Sequence, residues 1–405
     1  MKILILNSVI GEATSTGKHI RDISEYLLKQ GDQVLVLYSQ GTKGGNVPVY
    51  ARKFGYSLEN KLHALLSRLT GLQGYYSYFG TKALIRIIAK EKPHIVHLHN
   101  LHSNDICFPL LFKFLKKRKI KTIVNLHDCW YYTGRCYHYT NLNCMQWKSG
   151  CKQCPIKCRS NPYWLFSRTK KLARDKRKFF DLEELQVVGV SKWIVKEAKT
   201  SRILEEKVIS CIYNWVDMDI FSPEKNDTFW NKYGIFNKKI VLGVCGKWVE
   251  DKGLSDLLKL SNRLGSDVQL VLIGNVDSLI QEEYKDKIVF LPPIYDKKML
   301  AQAYSNADIY INLSREESFG LTNAEALACG TPIMVYNSTA SPEFVGEGCG
   351  YVARVGDLED IIVGVEVLLR MNHQEVSLKC LQFARENFNR ENNIKQYYQL
   401  YQKLM

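Results

Sequence analysis

The fold class follows from residues 2–38, which read KILILNSVIGEATSTGKHIRDISEYLLKQGDQVLVLY. Apolar runs at residues 2–6 and 33–38 predict two buried strands. Between them, a loop that contains Gly11 and Gly17 leads into a helical pattern over residues 19–30, which Gly31 ends. A strand, a helix and a second strand in this order predict a βαβ unit with parallel strands.

Further apolar runs form two series, which predict two α/β domains. The first series continues at residues 95–98, 122–126 and 186–190, and the second comprises residues 240–244, 268–273, 288–291, 309–313 and 332–335. The predicted linker is residues 214–226, and a helical pattern ends the chain. Because open parallel sheets bind ligands beyond the carboxyl ends of their strands, we expect the functional residues there.

Charge is divided unevenly along the chain. Residues 1–200 carry 34 basic and 13 acidic residues, a net charge of +21. Residues 201–405 carry 22 basic and 28 acidic residues, a net charge of −6, so that the whole chain has a net charge of +15. A basic half attracts phosphate groups, whether of nucleic acid, anionic lipid or a diphosphate-containing small molecule. With 46% hydrophobic and 24% charged residues, the composition excludes a mainly disordered chain.

The sequence predicts neither a membrane span nor a leader. No apolar run approaches the roughly 20 residues that cross a bilayer, and the apolar run at the amino terminus is too short for a signal peptide. Twelve cysteines without an export signal lead us to expect a reducing, cytoplasmic environment.

The most informative motif is residues 316–332, which read EESFGLTNAEALACGTP. One interpretation is structural, because Thr322 and Glu325 have the spacing of a capping box at a helix amino terminus. The other is functional: the turn at residues 318–320 would hold a diphosphate at that terminus, while Glu317 and Glu325 accept hydrogen bonds from sugar hydroxyls.

Two other strand ends carry candidate phosphate ligands. Lys247 closes one strand and Lys252 opens the next helix, so that these residues either clamp a diphosphate or lie on a solvated turn. The loop from Gly11 to Gly17 is not a Walker A motif, because five residues separate its glycines and His19 replaces the expected Ser or Thr. Gly17 either allows a phosphate to approach the backbone or serves an ordinary strand-to-helix turn.

Together, these motifs resemble those of the retaining glycosyltransferases of family 4. Glu317 and Glu325 match that family's E-x7-E signature, residues 214–223 its linker motif, and Lys247 with residues 251–253 its donor clamp. The resemblance covers essentially the whole chain. It implies the GT-B architecture, with two Rossmann-like domains facing across a cleft. Residues 1–213 would be the acceptor-side domain, 214–388 the nucleotide-sugar domain, and 389–405 a helix that crosses back to the first domain.

The resemblance also implies residue roles. It assigns catalytic roles to His127 and Glu317 and an acceptor-side position to His99. It also implies that transfer needs no cofactor, and no nucleophile from the protein, since the leaving phosphate could take the acceptor proton. The residues implied in donor binding are Gly17, Lys247, Lys252, Ser318, Phe319, Gly320, Leu321 and Glu325.

A cysteine-rich insertion covers residues 129–158 and contains six cysteines. Cys151 and Cys154 have the spacing of a zinc knuckle, and Cys136 and Cys144 would complete a tetrahedral structural site. Alternatively, these are unligated thiols in a packed loop. The insertion resembles that of colanic-acid and capsular-polysaccharide transferases within family 4, which implies a role in the synthesis of a capsule or exopolysaccharide.

We therefore expect a retaining enzyme that moves a sugar from a nucleotide-diphosphate sugar to a hydroxyl of a lipid-linked glycan. Basic runs at residues 113–121 and 168–178 would attach it to the anionic inner face of the cell membrane, or else form solvated faces. The main alternative is a sugar-nucleotide epimerase or phosphorylase of GT-B fold. A remote alternative is a basic, zinc-containing protein that binds nucleic acid.

Overall fold

The computed structural model describes residues 1–11, 14–40, 46–152, 154, 162–226 and 228–405. These residues fall into two compact units. The first comprises Met1–Ile212 with Ile394–Met405, and the second comprises Tyr213–Asn393. Among the described residues, none of the helices combines the length and apolar character that a bilayer crossing requires.

The first unit contains a parallel sheet of seven strands in the order β3-β2-β1-β4-β5-β6-β7. Its central strands are buried on both faces, as expected of a parallel sheet between helical layers. The strands are β1 Lys2–Asn7, β2 Gln33–Tyr38, β3 Ala51–Lys53, β4 Ile95–Leu98, β5 Lys121–Leu126, β6 Leu185–Gly189 and β7 Ile209–Cys211. The helices are α1 Ser15–Lys29, α2 Ser57–Thr70, α3 Tyr78–Glu91, α4 Phe108–Arg118, α5 Thr169–Phe179 and α6 Lys192–Lys199.

The second unit contains a parallel sheet of six strands in the order β10-β9-β8-β11-β12-β13. Apolar side chains from its strands and helices, most of them leucine and isoleucine, form a hydrophobic core. The strands are β8 Lys239–Lys247, β9 Val268–Asn275, β10 Ile288–Leu291, β11 Ile309–Asn312, β12 Ile333–Tyr336 and β13 Gly350–Ala353. The helices are α7 Leu254–Ser261, α8 Ser278–Tyr284, α9 Lys297–Ser305, α10 Leu321–Ala328, α11 Leu358–Leu369 and α12 His373–Phe388.

The last helix, α13 Arg390–Lys403, starts in the second unit and joins the first from Ile394 onward. Its Tyr397 hydroxyl donates a hydrogen bond to Asn125 Oδ1 at 2.7 Å, and its Tyr401 hydroxyl lies 2.8 Å from His97 Nδ1. The carboxyl-terminal helix therefore returns to the first unit, as expected from the fold class.

Each sheet has one point at which the strand order reverses. In the first unit this point lies between β1 and β4, and in the second it lies between β8 and β11. Doubly wound sheets bind their ligands beyond the carboxyl ends of the strands at such points. The residues that follow these four strands are therefore the first place to look for a site.

Candidate functional site

The motif at residues 316–332 lies at the reversal point of the second sheet. Residues 313–320 connect the end of β11 to α10, whose N-cap is Gly320 with a φ of 100° and no side-chain cap. Thr322 therefore lies inside the first turn of the helix, and the capping-box interpretation of Thr322 and Glu325 is wrong. Glycine suits the cap because the left-handed backbone conformation disfavours residues with a Cβ atom.

Glu325 receives a hydrogen bond that the sequence did not predict. The hydroxyl of buried Tyr304, near the end of α9, donates to Glu325 Oε2 at 3.2 Å. Burial, and then the negative charge of Glu325, raise the pKa of Tyr304 well above its ordinary value. The hydroxyl thus stays protonated and orients the carboxylate. No local pattern at Tyr304 indicates this contact, because it links two separate helices.

Glu317 and Lys252 form an ion pair at the same reversal point. Lys252 lies in the short turn after β8, and the backbone N–H of Glu317 donates to Thr339 Oγ1 at 2.9 Å. Burial alone would lower the pKa of Lys252, but the charge of Glu317 and its hydrogen bond outweigh burial and raise that pKa. Lys252 is therefore a fixed cation beside the start of α10.

Lys247 is the last residue of β8 and is exposed, next to a register irregularity between Val244 and Lys247. Because β8 and β11 are neighbours in a parallel sheet, their carboxyl ends share one edge. The structure thus places Lys247, Lys252 and Glu317 at the edge from which α10 starts.

The turn before α10 contains a buried polar atom without a partner. Ser318 Oγ is inaccessible to solvent and has no hydrogen-bond partner among the described residues. A buried hydroxyl next to a helix amino terminus suits a bound anion, because both supply hydrogen-bond donors.

Phe319 and Leu321 contribute to the candidate site less directly than the residues described above. The Phe319 ring packs on Phe344 and Phe388, with centroid distances of 4.9 and 5.6 Å, so its side chain belongs to the core. Leu321 is the first residue of α10. Any contact of these two residues with a ligand at the helix terminus would be made by the backbone.

Gly17 lies in the first turn of α1, at the reversal point of the first sheet. Thr14 is the N-cap, and its Oγ1 accepts a hydrogen bond from Gly17 N at 3.2 Å. A Cβ atom on residue 17 would overlap the carbonyl oxygen of Gly11, so the turn requires glycine. The loop residues 12 and 13 lie outside the described residues. The helix starts four residues before the predicted position because Thr14 caps it.

His99 and His127 follow β4 and β5, and His99 Nδ1 lies 2.9 Å from His127 Nε2. Burial lowers the pKa of His127 to about 4, so the imidazole is neutral at pH 7. His127 Nε2 also lies 3.0 Å from Asn125 Nδ2. Two further histidines, to which the sequence assigned no role, lie beside this pair: the His19 ring is 5.8 Å from the His127 ring, and the His97 ring is 4.1 Å from the His99 ring.

The predicted zinc ligands Cys136, Cys144, Cys151 and Cys154 are half-buried. Within the part of the chain that the structure describes, no three His, Cys, Asp or Glu side chains are grouped closely enough to hold a metal ion. The described thiols thus do not form an assembled site, and Cys158 lies outside the described residues. The structural zinc stays a prediction, which metal analysis of the purified protein would test.

One residue of the predicted basic surface is buried instead. Lys176, in the run at residues 168–178, donates hydrogen bonds to the carbonyl oxygens of Trp130 and Thr133 at 2.5 and 3.0 Å. Its ammonium group lies 3.4 Å from the centroid of the Trp130 ring, and burial lowers its pKa to about 7. Lys176 therefore anchors the segment after β5 and is not available to a membrane.

Comparison with known proteins agrees with this architecture. Residues 16–220 match the model of Glycosyltransferase Family 4, and residues 225–387 match the model of Glycosyl transferases group 1. The solved structure of Anabaena Alr3699/HepE in complex with UDP-glucose has a TM-score of 0.69 at 14% identity, with 100% of both chains covered. The two parallel-sheet units and this likeness confirm the predicted GT-B fold.

Two curated relatives show how far the similarity in sequence extends. The putative colanic acid biosynthesis glycosyl transferase WcaC of Escherichia coli (strain K12) is 24% identical over 373 residues, which cover 86% of each chain. The N-acetyl-alpha-D-glucosaminyl L-malate synthase of Bacillus anthracis is 25% identical over 235 residues, which cover 55% of this chain and 61% of that protein. The model of Glycosyltransferase Family 4 alone matches residues 16–220, which are half of this chain, so the chain belongs to glycosyltransferase family 4.

Proposed function

We propose that this glycosyltransferase moves a sugar, with retention, from a nucleotide-diphosphate sugar to a hydroxyl of a lipid-linked glycan in the synthesis of a bacterial surface polysaccharide. The observation that carries the proposal is the group formed by the start of α10, Ser318 and the ion pair of Lys252 with Glu317. It offers backbone donors, a hydroxyl, a cation and a carboxylate at one reversal point, which suits a diphosphate attached to a sugar.

Each part of the donor has a matching group in the second unit. The diphosphate would bind the first N–H groups of α10 with Lys252 and Lys247, because a helix amino terminus and ammonium groups favour anions. Glu325, held by Tyr304, would accept hydrogen bonds from the nucleotide ribose. Glu317 would turn from Lys252 to the hydroxyls of the donor sugar once phosphate neutralises that lysine.

The transfer step needs no nucleophile from the protein. The bond from the anomeric carbon to the diphosphate oxygen breaks, and the acceptor oxygen forms its bond to that carbon on the same face. The acceptor proton passes to the leaving phosphate oxygen. Lys247, Lys252 and the α10 terminus would stabilise the charge that develops on the diphosphate.

His127 would assist this step as a neutral group. With a pKa of about 4, its imidazole can exchange hydrogen bonds with a sugar hydroxyl near pH 7 without introducing a charge. Its neighbour His99 would fix the orientation of the ring on the acceptor side.

The polysaccharide role is supported by similarity to the colanic acid transferase, whose alignment covers most of both chains. The donor class is supported by the fold that the chain shares with a structure that holds UDP-glucose. The exposed basic residues of the runs 113–121 and 168–178 suit an anionic membrane, where the enzyme would meet a lipid-linked diphosphate acceptor.

The test is an acceptor-dependence assay with labelled UDP-, GDP- and ADP-sugars and a bacterial lipid extract. We expect the label to enter the lipid fraction with one donor class, and release of nucleoside diphosphate to depend on the acceptor. Conversion of the sugar without acceptor would instead indicate an epimerase. Phosphate-dependent release of sugar phosphate would indicate a phosphorylase, and either result would overturn the proposal.

A further inference from the structure

Helix α2 has an unusual distribution of polar and apolar residues. The side chains buried on its inner face are His63 and Ser67, whereas Leu58, Leu62 and Leu65 are 81%, 53% and 43% exposed. The three leucines are spaced four and three residues apart, so they lie on one face of the helix. A helix that faces water normally has the opposite arrangement.

The start of α3 continues this exposed apolar face. The backbone N–H groups of Phe79 and Gly80 donate to Glu59 of α2, both at 2.7 Å, which fixes the two helices together. Between them lies a groove of about 580 Å³, lined mostly by apolar side chains that include Tyr56 and Tyr78. Phe79 is 69% exposed at its rim.

A third segment, residues 164–166, joins the other end of α2. Trp164 N donates to the carbonyl oxygen of Arg68 at 2.7 Å, and Leu165 is 66% exposed. The three segments together form what we call the apolar surface of the first unit. Its members are Tyr56, Leu58, Leu62, Leu65, Tyr78, Phe79, Trp164, Leu165 and Phe166.

Cations accompany the exposed aromatic rings. Lys82 Nζ lies 4.4 Å from the Tyr78 ring centroid, and the guanidinium groups of Arg68 and Arg168 lie 6.0 and 5.5 Å from the rings of Trp164 and Phe166. Residues 52–86 contain six basic residues and one acidic residue, Glu59, which is engaged at the start of α3. The apolar surface therefore lies in a positive field.

We propose that the apolar surface inserts into the headgroup region of an anionic lipid bilayer. Exposed leucines, aromatic rings and neighbouring Lys and Arg are the combination that interfacial segments use, with the rings at headgroup depth and the cations at lipid phosphates. A second copy of the chain suits the surface less well, because a symmetric contact would bring like charges together.

This inference rests on the proposed function only for the reason that the enzyme would bind a membrane, which is to reach a lipid-linked acceptor. It also adds an apolar contribution to the attachment expected of the basic runs. Charge alone gives shallow, salt-sensitive adsorption, whereas leucine and aromatic side chains add a contribution that salt does not remove.

The test is flotation with vesicles of phosphatidylcholine, with and without phosphatidylglycerol, in the absence of donor and acceptor. We expect the unchanged chain to float with the anionic vesicles, and L58Q/L62Q to lower the partition coefficient at least about tenfold. The matched control is L279Q/L378Q, which changes two leucines of the second unit that are 79% and 63% exposed. That control should float like the unchanged chain.

The fluorescence of Trp164 gives a second measurement. The structure describes all seven tryptophans of the chain, and among them Trp164 is the exposed tryptophan. Anionic vesicles should shift the emission of the unchanged chain to shorter wavelength and leave W164F without that shift. Equal flotation of L58Q/L62Q and the unchanged chain would overturn the proposal. So would a dimer in solution that L58Q/L62Q dissociates. Because no sugar donor is present, the outcome is independent of whether transfer is found.

Discussion

Tyr304 shows how a single hydroxyl prepares a binding residue. It donates to Glu325 at 3.2 Å from a fully buried position, so the carboxylate is oriented before a ligand arrives. We predict that Y304F raises the dissociation constant of the donor nucleotide about three- to tenfold, because one hydrogen bond contributes roughly 0.5–1.5 kcal/mol. Calorimetric titration measures this change.

The matched control for Tyr304 is Y336F. Tyr336 is equally buried in the same unit, and its hydroxyl donates to Asp256 at 2.6 Å. Y336F should affect stability but leave the dissociation constant unchanged. Similar weakening by both variants would show that the effect of Tyr304 is general to the fold and does not act through Glu325.

The start of α10 is the element whose geometry the proposed site needs most. Gly320 has a φ of 100°, and a Cβ atom there would lie 2.8 Å from Asn323 Nδ2. We predict that G320A lowers the free energy of unfolding by about 1–3 kcal/mol through backbone strain and also weakens nucleotide binding, because the first N–H groups of the helix move. Thermal unfolding and titration measure the two effects.

A substitution at Gly356 is the control that separates the effect of backbone strain from the effect on nucleotide binding. Its φ is 74°, and a Cβ atom there would meet nothing within 4 Å. G356A should therefore lower stability by a comparable amount without changing nucleotide affinity. If G320A retained full affinity while losing stability, the start of α10 would not bind the nucleotide.

At the scale of elements, the sequence predicted the central strands better than the strands at the sheet edges. The apolar runs located the central strands of both sheets, because burial on both faces requires continuous apolar residues. The strands β3, β7 and β13, which the sequence did not predict, lie at the edges of their sheets and are only partly buried. Their sequences, ARK, ISC and GYVA, lack the continuous run of large apolar residues that predicted the other strands.

Parts of the candidate site could not be predicted, for a related reason. Sequence spacing indicated the residues at strand ends, but it could not show that Gly320 rather than Thr322 caps α10. Nor could it show that Tyr304 reaches Glu325, or that α2 turns its leucines outward. Each of these depends on contacts between elements that are distant in sequence.

At the scale of the molecule, stability should depend on pH through the histidines of the first unit. Burial, more than the charge of neighbouring histidines, lowers the pKa of His19, His97 and His99. It lowers the pKa of His127 as well, with values of about 3 for His97 and about 4 for His127. Between pH 6.5 and about 4, the folded chain thus binds fewer protons than the unfolded chain.

We therefore predict that the free energy of unfolding is greatest above pH 6.5 and falls as pH decreases toward 4. The fall is about 1.4 kcal/mol per pH unit for each histidine that is protonated in the unfolded chain and neutral in the folded chain. Thermal unfolding at pH 7, 6 and 5 measures the slope. H97N, which removes one titrating group, should show a shallower fall than the unchanged chain. A stability that stays constant over this range would contradict the burial of these neutral rings.

The central claim is that the reversal point of the second sheet binds the diphosphate of a nucleotide sugar. The most direct measurement is calorimetric titration of UDP, GDP and ADP into the unchanged chain and into K252A, with K259A as the control for an exposed lysine on α7. We predict that one nucleotide binds the unchanged chain and K259A equally and binds K252A at least about tenfold more weakly, since hydrogen bonds to charged groups contribute roughly 1.5–3 kcal/mol. Equal affinity of K252A and the unchanged chain, or no binding of any of the three nucleotides, would contradict the account.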